Sequence, residues 1–211
     1  MQKYLSFEHK AAYHTLNEKT STTKRVWIVF HGYGQLAEYF IKKFKVLNPK
    51  TNFIIAPQGL SKFYREGFTG RVGASWMTKE DRRTDIKNQQ YYLRTVMENE
   101  SITEHTCFEL ILFGFSQGAA TMSRFAAYNN LPFSKLIIWA GNFAHELTQE
   151  DVQCWKHSYT IDLFMGKEDP LFDFANTNEQ LQKIKKLTGK PCNVTWFDGK
   201  HEIVPTLLKD I

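Results

Sequence analysis

Short runs of apolar residues recur along the chain, and more polar segments with helical spacing separate them. The runs are rich in β-branched and aromatic residues, which is typical of buried strands. They lie at residues 26–30, 53–56, 110–113, 136–139, 161–165 and 194–197. Amphipathic helical patterns occupy residues 36–47, 82–99, 117–128, 175–187 and 203–208. Strands that alternate with helices predict an α/β fold with a mostly parallel central sheet covered by helices on both faces.

Two segments depart from this alternation. Residues 4–16 alternate between apolar and polar positions, which predicts an N-terminal antiparallel hairpin at the edge of the sheet. Residues 58–80 show no period and are rich in glycine and aromatic residues. Because this long segment follows a strand, we expect it to lie over the carboxyl edge of the sheet as a binding loop.

A glycine-flanked serine follows the apolar run at residues 110–113. The sequence there is Gly114-Phe115-Ser116-Gln117-Gly118, and a helical pattern begins directly after it. A strand, a sharp turn and a helix are the setting that a G-x-S-x-G motif requires. The turn would hold Ser116 above the sheet edge, where its hydroxyl could attack a carbonyl carbon. The alternative is a tight strand-to-helix turn with an incidental serine.

An acidic and a basic residue follow the last two strand-like runs. Asp169 comes just after residues 161–165, and His201 follows residues 194–197. Side chains at the carboxyl ends of parallel strands share one edge, so we expect both residues near Ser116. A neutral imidazole can take the serine proton, and a carboxylate can orient the ring. The chain order of serine, acid and histidine therefore predicts a catalytic triad.

Other assignments of the acid stay open at this point. Glu168 adjoins Asp169, so a shift of one residue in the loop would make Glu168 the acid. Asp173 and Asp198 lie nearby, but an Asp before a Gly is more often a turn residue. Asp169 is preferred. The remaining histidines are expected to be structural or on the surface: His9, His14, His31, His105, His145 and His157.

Three aromatic side chains are candidates for substrate contact. Trp76 and Tyr64 belong to the unpatterned segment, and Phe143 follows the run at residues 136–139. Together they would wall an acyl pocket above the sheet edge. The alternative for Trp76 is that it packs the loop onto the body of the protein, and the alternative for Phe143 is a plain strand-to-helix turn.

Composition narrows the class of protein. A chain of 211 residues with 42% hydrophobic residues fits one packed domain, residues 1–211. The net charge of +5 comes from basic residues mixed with acidic ones, which argues against a nucleic-acid-binding protein. The three cysteines form no C-x-x-C pair, so we expect reduced thiols and a cytoplasmic location. No zinc-ligand spacing, signal peptide or membrane-length apolar run is present, so no metal and no stable membrane insertion are expected.

Several further motifs resemble the phospholipase/carboxylesterase family of α/β-hydrolases, which contains acyl-protein thioesterases and small bacterial carboxylesterases. The similarity extends from about residue 26 to the C-terminus. Its motifs are His31-Gly32-Tyr33-Gly34, Ala56-Pro57, Ser75-Trp76, Gly114-Phe115-Ser116-Gln117-Gly118, Gly166-Lys167-Glu168-Asp169-Pro170 and His201. The resemblance implies an α/β-hydrolase fold, the triad Ser116, Asp169 and His201, and an oxyanion hole formed by the backbone amides of Tyr33 and Gln117. Members with this architecture often pair, so a homodimer is compatible with it.

The sequence is therefore interpreted as a serine hydrolase that cleaves carboxylic esters without a cofactor. Ser116 would form the acyl-enzyme, with His201 as general base and Asp169 as orienting acid. The chain leaves little room for a large cap, so an open site is expected. One alternative is an acyl-protein or acyl-CoA thioesterase. The other is a catalytically silent α/β-hydrolase fold that binds a ligand or a protein.

Overall fold

The structure is a computed structural model that describes residues 1–103, 107–129, 131–155, 157–172 and 174–211. Its strands are β1 Tyr13–Leu16, β2 Arg25–Phe30, β3 Asn52–Pro57, β4 Ser61–Glu66, β5 Thr69–Ser75, β6 Glu109–Phe115, β7 Lys135–Trp139, β8 Thr160–Gly166 and β9 Asn193–Phe197. Its α-helices are α1 Ala37–Phe40, α2 Arg82–Asn99, α3 Gln117–Asn129, α4 Gln149–Val152 and α5 Phe174–Thr188. Two 3₁₀ helices span Ile41–Val46 and Pro205–Asp210.

Seven of these strands form one sheet in the order β1-β3-β2-β6-β7-β8-β9. All neighbours pair in parallel except β1, which runs antiparallel to β3 with Tyr13 opposite Pro57. The predicted α/β architecture and its antiparallel edge are confirmed, and the partner of the edge strand is β3. Residues 4–12 of the predicted hairpin lie outside any strand.

The sheet separates two apolar cores, and side chains alternate between them along each strand. In β2, Val26, Ile28 and Phe30 belong to one core, whereas Trp27 and Val29 belong to the other. Both faces are buried because helices cover each side of a parallel sheet. This is why the strands read as continuous apolar runs in the sequence.

The helix expected at residues 36–47 is divided. α1 covers Ala37–Phe40, and the chain continues as the 3₁₀ helix Ile41–Val46. Leu36 occupies the N-cap position and provides no capping hydrogen bond, so the first turn lacks the usual stabilisation of a helix start. The segment predicted at residues 203–208 is likewise a 3₁₀ helix, Pro205–Asp210.

The unpatterned segment contains a two-stranded hairpin, β4-β5, which the sequence analysis did not predict. Gly67 lies in the turn with φ 69°, a conformation that glycine adopts readily. Most of the hairpin is exposed, and only the end of β5 is buried. That end contacts the loop after β2, because the Gly34 amide donates to the Ala74 carbonyl at 2.8 Å.

Candidate active site

Ser116 lies in the turn between β6 and α3 with a left-handed backbone, φ 53°. Its amide donates to the Trp139 carbonyl of β7 at 2.9 Å, and its carbonyl accepts from the Ala119 amide at 3.0 Å. A Cβ on Gly118 would lie 2.2 Å from the Phe30 carbonyl oxygen, and one on Gly114 would lie 2.4 Å from the Ala119 Cα. The strained turn therefore requires glycine two residues to each side of the serine.

Three predicted side chains meet at the carboxyl edge of the sheet. His201 Nε2 lies 2.9 Å from Ser116 Oγ, and His201 Nδ1 lies 2.7 Å from Asp169 Oδ2. The Asp169 side chain is fully buried, and its other oxygen accepts from the Leu171 amide at 3.0 Å. Since the carboxylate accepts the Nδ1 proton, Nε2 is left to accept the serine proton.

Two of the competing acids, Glu168 and Asp198, are described by the structure, and neither bonds to His201. Glu168 is exposed, and Asp198 forms a surface ion pair with Lys167 at 2.7 Å. Asp173 lies outside the described residues, as does His105. Among the candidate acids that the structure describes, Asp169 is the one that lies against the histidine.

Two aromatic rings flank the imidazole. Phe115, just before the serine, lies 5.0 Å from the His201 ring centre. Phe172, in the loop that carries Asp169, stacks at 6.2 Å with an interplanar angle of 12°. The His201 side chain is 22% exposed, so the ring is held in place yet open to a substrate on one side.

Two backbone amides lie next to Ser116. In the described part of the chain, neither the Tyr33 nor the Gln117 amide donates a hydrogen bond. Gln117 begins α3, where the first amides have no partner within the helix. A Cβ placed on Gly32 would lie 3.2 Å from the Cβ of Ser116, so the loop that carries Tyr33 runs against the serine. Both amides are therefore available to an oxygen bound beside Ser116.

The side chain of Gln117 has a role that the sequence analysis missed. Its Oε1 accepts from the Trp76 amide at 3.0 Å, and its Nε2 donates to the Met77 carbonyl at 2.9 Å. The carboxamide thereby links the start of α3 to the chain that leaves β5. The glutamine of the Gly-Phe-Ser-Gln-Gly motif was the signal that could have revealed this link.

Comparison with known proteins identifies the family of the chain. A family model described as Phospholipase/Carboxylesterase matches residues 11–211. The chain belongs to the phospholipase/carboxylesterase family. A search of the curated proteins finds no match. Membership in this family makes the chain an α/β-hydrolase of the esterase/thioesterase type.

Solved structures resemble this family member over nearly their whole length. Acyl-protein thioesterase 2 of Zea mays is 19% identical with a TM-score of 0.66, covering 94% of this chain and 95% of its own. A Bacillus cereus carboxylesterase is 14% identical with a TM-score of 0.64, covering 95% and 91%. The esterase PE8 is 19% identical with a TM-score of 0.64, covering 96% and 100%. These likenesses confirm the α/β-hydrolase fold.

The predicted aromatic wall is only partly present in this phospholipase/carboxylesterase family member. Trp76 is 1% exposed, and its indole Nε1 donates to the His31 carbonyl at 2.8 Å. The expectation that Trp76 walls the pocket is wrong, because its ring is packed inside the protein. Tyr64 is 53% exposed on β4 and does not line the cavity beside the triad. Phe143 does line that cavity.

His31 is a buried structural residue, as expected for the histidines other than His201. Its Nδ1–H donates to the Gly32 carbonyl at 2.8 Å, and its Nε2 accepts from the Gly59 amide at 3.0 Å. Its ring stacks on Trp76 at 4.8 Å. Burial lowers the pKa of His31 to about 4, so the ring is neutral at physiological pH.

A cavity of about 720 Å³, which we call the side pocket, lies beside the triad. Ala120, one helical turn after Ser116, lines it together with Met77 and Phe143. Phe172 also lines it and connects it to His201 through the stacked rings. The side pocket is therefore a space into which part of a substrate held at Ser116 could extend.

Two other kinds of site are absent from the described ranges. No group of His, Cys, Asp or Glu side chains there could hold a metal ion. No helix there is both long enough and apolar enough to cross a membrane.

Proposed function

We propose that the protein is a serine hydrolase that cleaves carboxylic esters through an acyl-enzyme on Ser116. The observation that carries this proposal is the unbroken chain of hydrogen bonds from Ser116 through His201 to Asp169. The catalytically silent alternative is less well supported, since it gives no reason for this alignment or for the two free amides beside it.

In the first half of the reaction, His201 Nε2 takes the proton of Ser116 Oγ as the oxygen bonds to the acyl carbon. The carbonyl electron pair moves onto the oxygen, and the Tyr33 and Gln117 amides donate to that oxyanion. Asp169 accepts from Nδ1–H and stabilises the imidazolium. The tetrahedral intermediate then collapses, and the departing alcohol takes the proton from Nε2.

In the second half, water attacks the acyl-enzyme. His201 Nε2 takes a proton from the water, and a second tetrahedral intermediate forms at the same amides. Its collapse returns the proton to Ser116 Oγ and releases the carboxylic acid. No step requires a metal or an organic cofactor.

The decisive experiment combines turnover with covalent labelling. The protein is mixed with p-nitrophenyl acetate or butyrate and with a fluorophosphonate probe. The wild type should hydrolyse the esters and take up the probe. Ser116→Ala should lose at least about 10³-fold in kcat and all labelling, because the nucleophile is gone. The matched control is Ser61→Ala, an exposed serine on β4. Equal labelling of the two variants would contradict the proposal.

The choice of acid has its own test. Asp169→Asn should lower kcat by about 10³- to 10⁴-fold, because a carboxamide favours the wrong tautomer of His201. The adjacent Glu168→Gln should retain the wild-type rate, since Glu168 is exposed and makes no contact with the ring. A reversed result would assign the role to Glu168.

A thioesterase reaction would use the same groups, so substrate choice separates the two activities. Rates on an oxygen ester and a sulfur ester with the same acyl chain give the comparison. Our proposal expects the oxygen ester to be a good substrate. A strong preference for the thioester would assign the protein to the thioesterases of its family instead.

A further inference from the structure

The side pocket has an apolar end and a basic end. Its apolar lining includes Phe143 and Phe172, and Phe172 stacks on His201. Around His145 and Glu146 the lining includes Arg82, Arg124 and Lys183, and Lys79 also lines the pocket. Among the described lining residues, Glu179 is the acidic member. A lining with four cationic side chains and one carboxylate is unusual for a pocket that would hold only an alkyl chain.

Arg124 distinguishes the basic end from a solvent-exposed charged surface, because its guanidinium is buried. It is 1% exposed, although an arginine is rarely buried without full pairing. Its Nε and Nη2 donate to the two carboxylate oxygens of Glu146, at 2.5 and 3.3 Å. Its Nη1 is buried and has no hydrogen-bond partner among the described residues. Such an unpaired donor is costly unless a ligand or water completes it.

The single carboxylate of Glu146 does not neutralise the positive charges of the two arginines that it contacts. It also accepts from Arg82 Nη2 at 2.9 Å, so one carboxylate serves two guanidinium groups. Burial acts to raise the pKa of Glu146, but the hydrogen bond from Arg124 and the charges of both arginines outweigh it and lower the pKa to about 2. Glu146 is thus already ionised, and the group still carries one excess positive charge. The Lys183 ammonium lies on the same lining and donates one of its three hydrogens to the His145 carbonyl.

The distance between the two ends limits the shape of the ligand. Arg124 lies on α3, eight residues after Ser116, and eight residues correspond to about 12 Å along the helix axis. Its side chain leans toward the start of the helix, which shortens the span. An anion at the basic end would therefore be joined to the reacting carbonyl by a medium-length chain, and that chain would cross the apolar end.

We propose that the side pocket binds a carboxylate or phosphate group carried by the ester substrate, with Arg82, Arg124 and Lys183 as its ligands. The inference rests on the proposed esterase function and specifies its substrate class. The preferred substrates are esters with an anionic end separated from the scissile bond by an alkyl spacer. Neutral esters of the same length are poorer substrates, because they leave Nη1 of the buried Arg124 guanidinium without an acceptor.

The first test compares p-nitrophenyl monoesters of succinate, adipate, suberate and sebacate with neutral esters of equal length. The readout is the ratio of kcat/KM for the anionic ester to that for the neutral ester. This ratio should be largest for the longer spacers and should exceed about tenfold, the scale of one charged hydrogen bond. A phosphonate-ended series distinguishes phosphate from carboxylate recognition. The same chains placed on the alcohol show which half of the ester enters the pocket.

Lys183 and Lys186 provide a matched pair of variants on α5. Lys183 lines the pocket, whereas Lys186 is exposed and lies outside it. Lys183→Gln should lower the ratio about fivefold to tenfold, and Lys186→Gln should leave it unchanged. Arg82→Gln should act like Lys183→Gln. Arg124 is not chosen for substitution because its removal would leave Glu146 half-buried without its main partner.

A binding measurement separates this inference from the proposed function. Isothermal titration of suberate into the Ser116→Ala variant should show binding that Lys183→Gln weakens and Lys186→Gln does not. If no ester is hydrolysed but suberate still binds in this way, the esterase proposal fails and the anion site stands. If neutral esters are cleaved as well as anionic ones, or if both lysine variants behave alike, the anion site is overturned and the esterase proposal stands.

Discussion

At the residue scale, the strained backbone of Ser116 is held by contacts on both sides. A non-glycine residue in the left-handed region costs about 1–3 kcal/mol. The amide of Ser116 donates to β7, and its carbonyl accepts from the first turn of α3. Both backbone groups therefore keep a hydrogen-bond partner in this unusual conformation. The strain directs the hydroxyl toward His201 instead of into the core, which ties the local conformation to the proposed chemistry.

His31 makes stability depend on pH in a defined range. Its pKa is about 4 in the folded protein, whereas an unfolded chain has an ordinary histidine pKa near 6.5. As the pH falls from about 6.5 to 4, the unfolded state binds this proton first, so the free energy of unfolding decreases by up to about 3 kcal/mol. Below pH about 4 both states are protonated and this contribution becomes constant.

The measurement is urea unfolding at pH 7 and pH 5. His31→Gln should reduce the loss of stability between these two pH values by about 2 kcal/mol, whatever its effect on absolute stability. His9→Gln is the control, because His9 is exposed and its replacement should leave the pH dependence unchanged. An unchanged pH dependence in His31→Gln would contradict this account of the buried ring.

The sequence predicts some residues of the site better than others. Ser116 could be placed because its motif lies between a strand and a helix, and Asp169 and His201 could be placed because they end the last two parallel strands. Trp76 could not be placed, because the sequence does not tell which way a loop side chain points. The fit of its indole nitrogen to the His31 carbonyl exists only in the folded chain.

At the element scale, α3 and the hairpin β4-β5 are joined at the site by Gln117. Gln117→Ala keeps the backbone amide but removes the bonds to Trp76, Met77 and the Ser75 hydroxyl. We expect a loss of about 1.5–4.5 kcal/mol of stability, the sum of three ordinary hydrogen bonds. We also expect a lower kcat, because the segment after β5 packs beside the Tyr33 and Gln117 amides that we propose as the oxyanion hole.

Urea unfolding and ester hydrolysis measure the two effects of this substitution. Gln35 is not a suitable control, because its Oε1 accepts from the Gly32 amide in the same loop. Gln182→Ala on α5 is suitable, since Gln182 is exposed and helical. If Gln117→Ala matched Gln182→Ala in both measurements, the link between α3 and β5 would contribute neither to the free energy of unfolding nor to kcat.

The long elements were predictable and the short ones were not. The parallel strands were found because both of their faces are buried, and α2 was found because its polar and apolar positions repeat over eighteen residues. The hairpin β4-β5 was missed because it is mostly exposed and carries no buried alternation. α4 was missed because it has four residues, although Thr148 and Asp151 form a capping box at its start.

At the scale of the whole molecule, the parallel sheet explains why residues far apart in sequence meet. β6, β8 and β9 all end at one edge, and the turns after them carry Ser116, Asp169 and His201. The loop after β2 reaches the same edge because Phe30 pairs with Gly114 in register. The gathering of these three side chains thus follows from the topology, whereas the basic end of the side pocket depends on how α2, α3 and α5 pack. The sequence did not reveal that packing.

The net charge of +5 adds a long-range electrostatic field to the local attraction of the side pocket. Measuring the rate at different salt concentrations distinguishes these two effects. For a carboxylate-ended ester, kcat/KM should fall severalfold between about 10 mM and 300 mM NaCl, where the Debye length shrinks from about 30 Å to well below 10 Å. The rate on a neutral ester should change little.

Lys183→Gln and Lys186→Gln both lower the net charge to +4, so the field of the molecule as a whole is nearly the same in both. A weaker salt dependence in Lys183→Gln alone would assign the attraction to the pocket. The same salt dependence in both variants would assign it to the net charge, because only the position of the lost lysine differs between them.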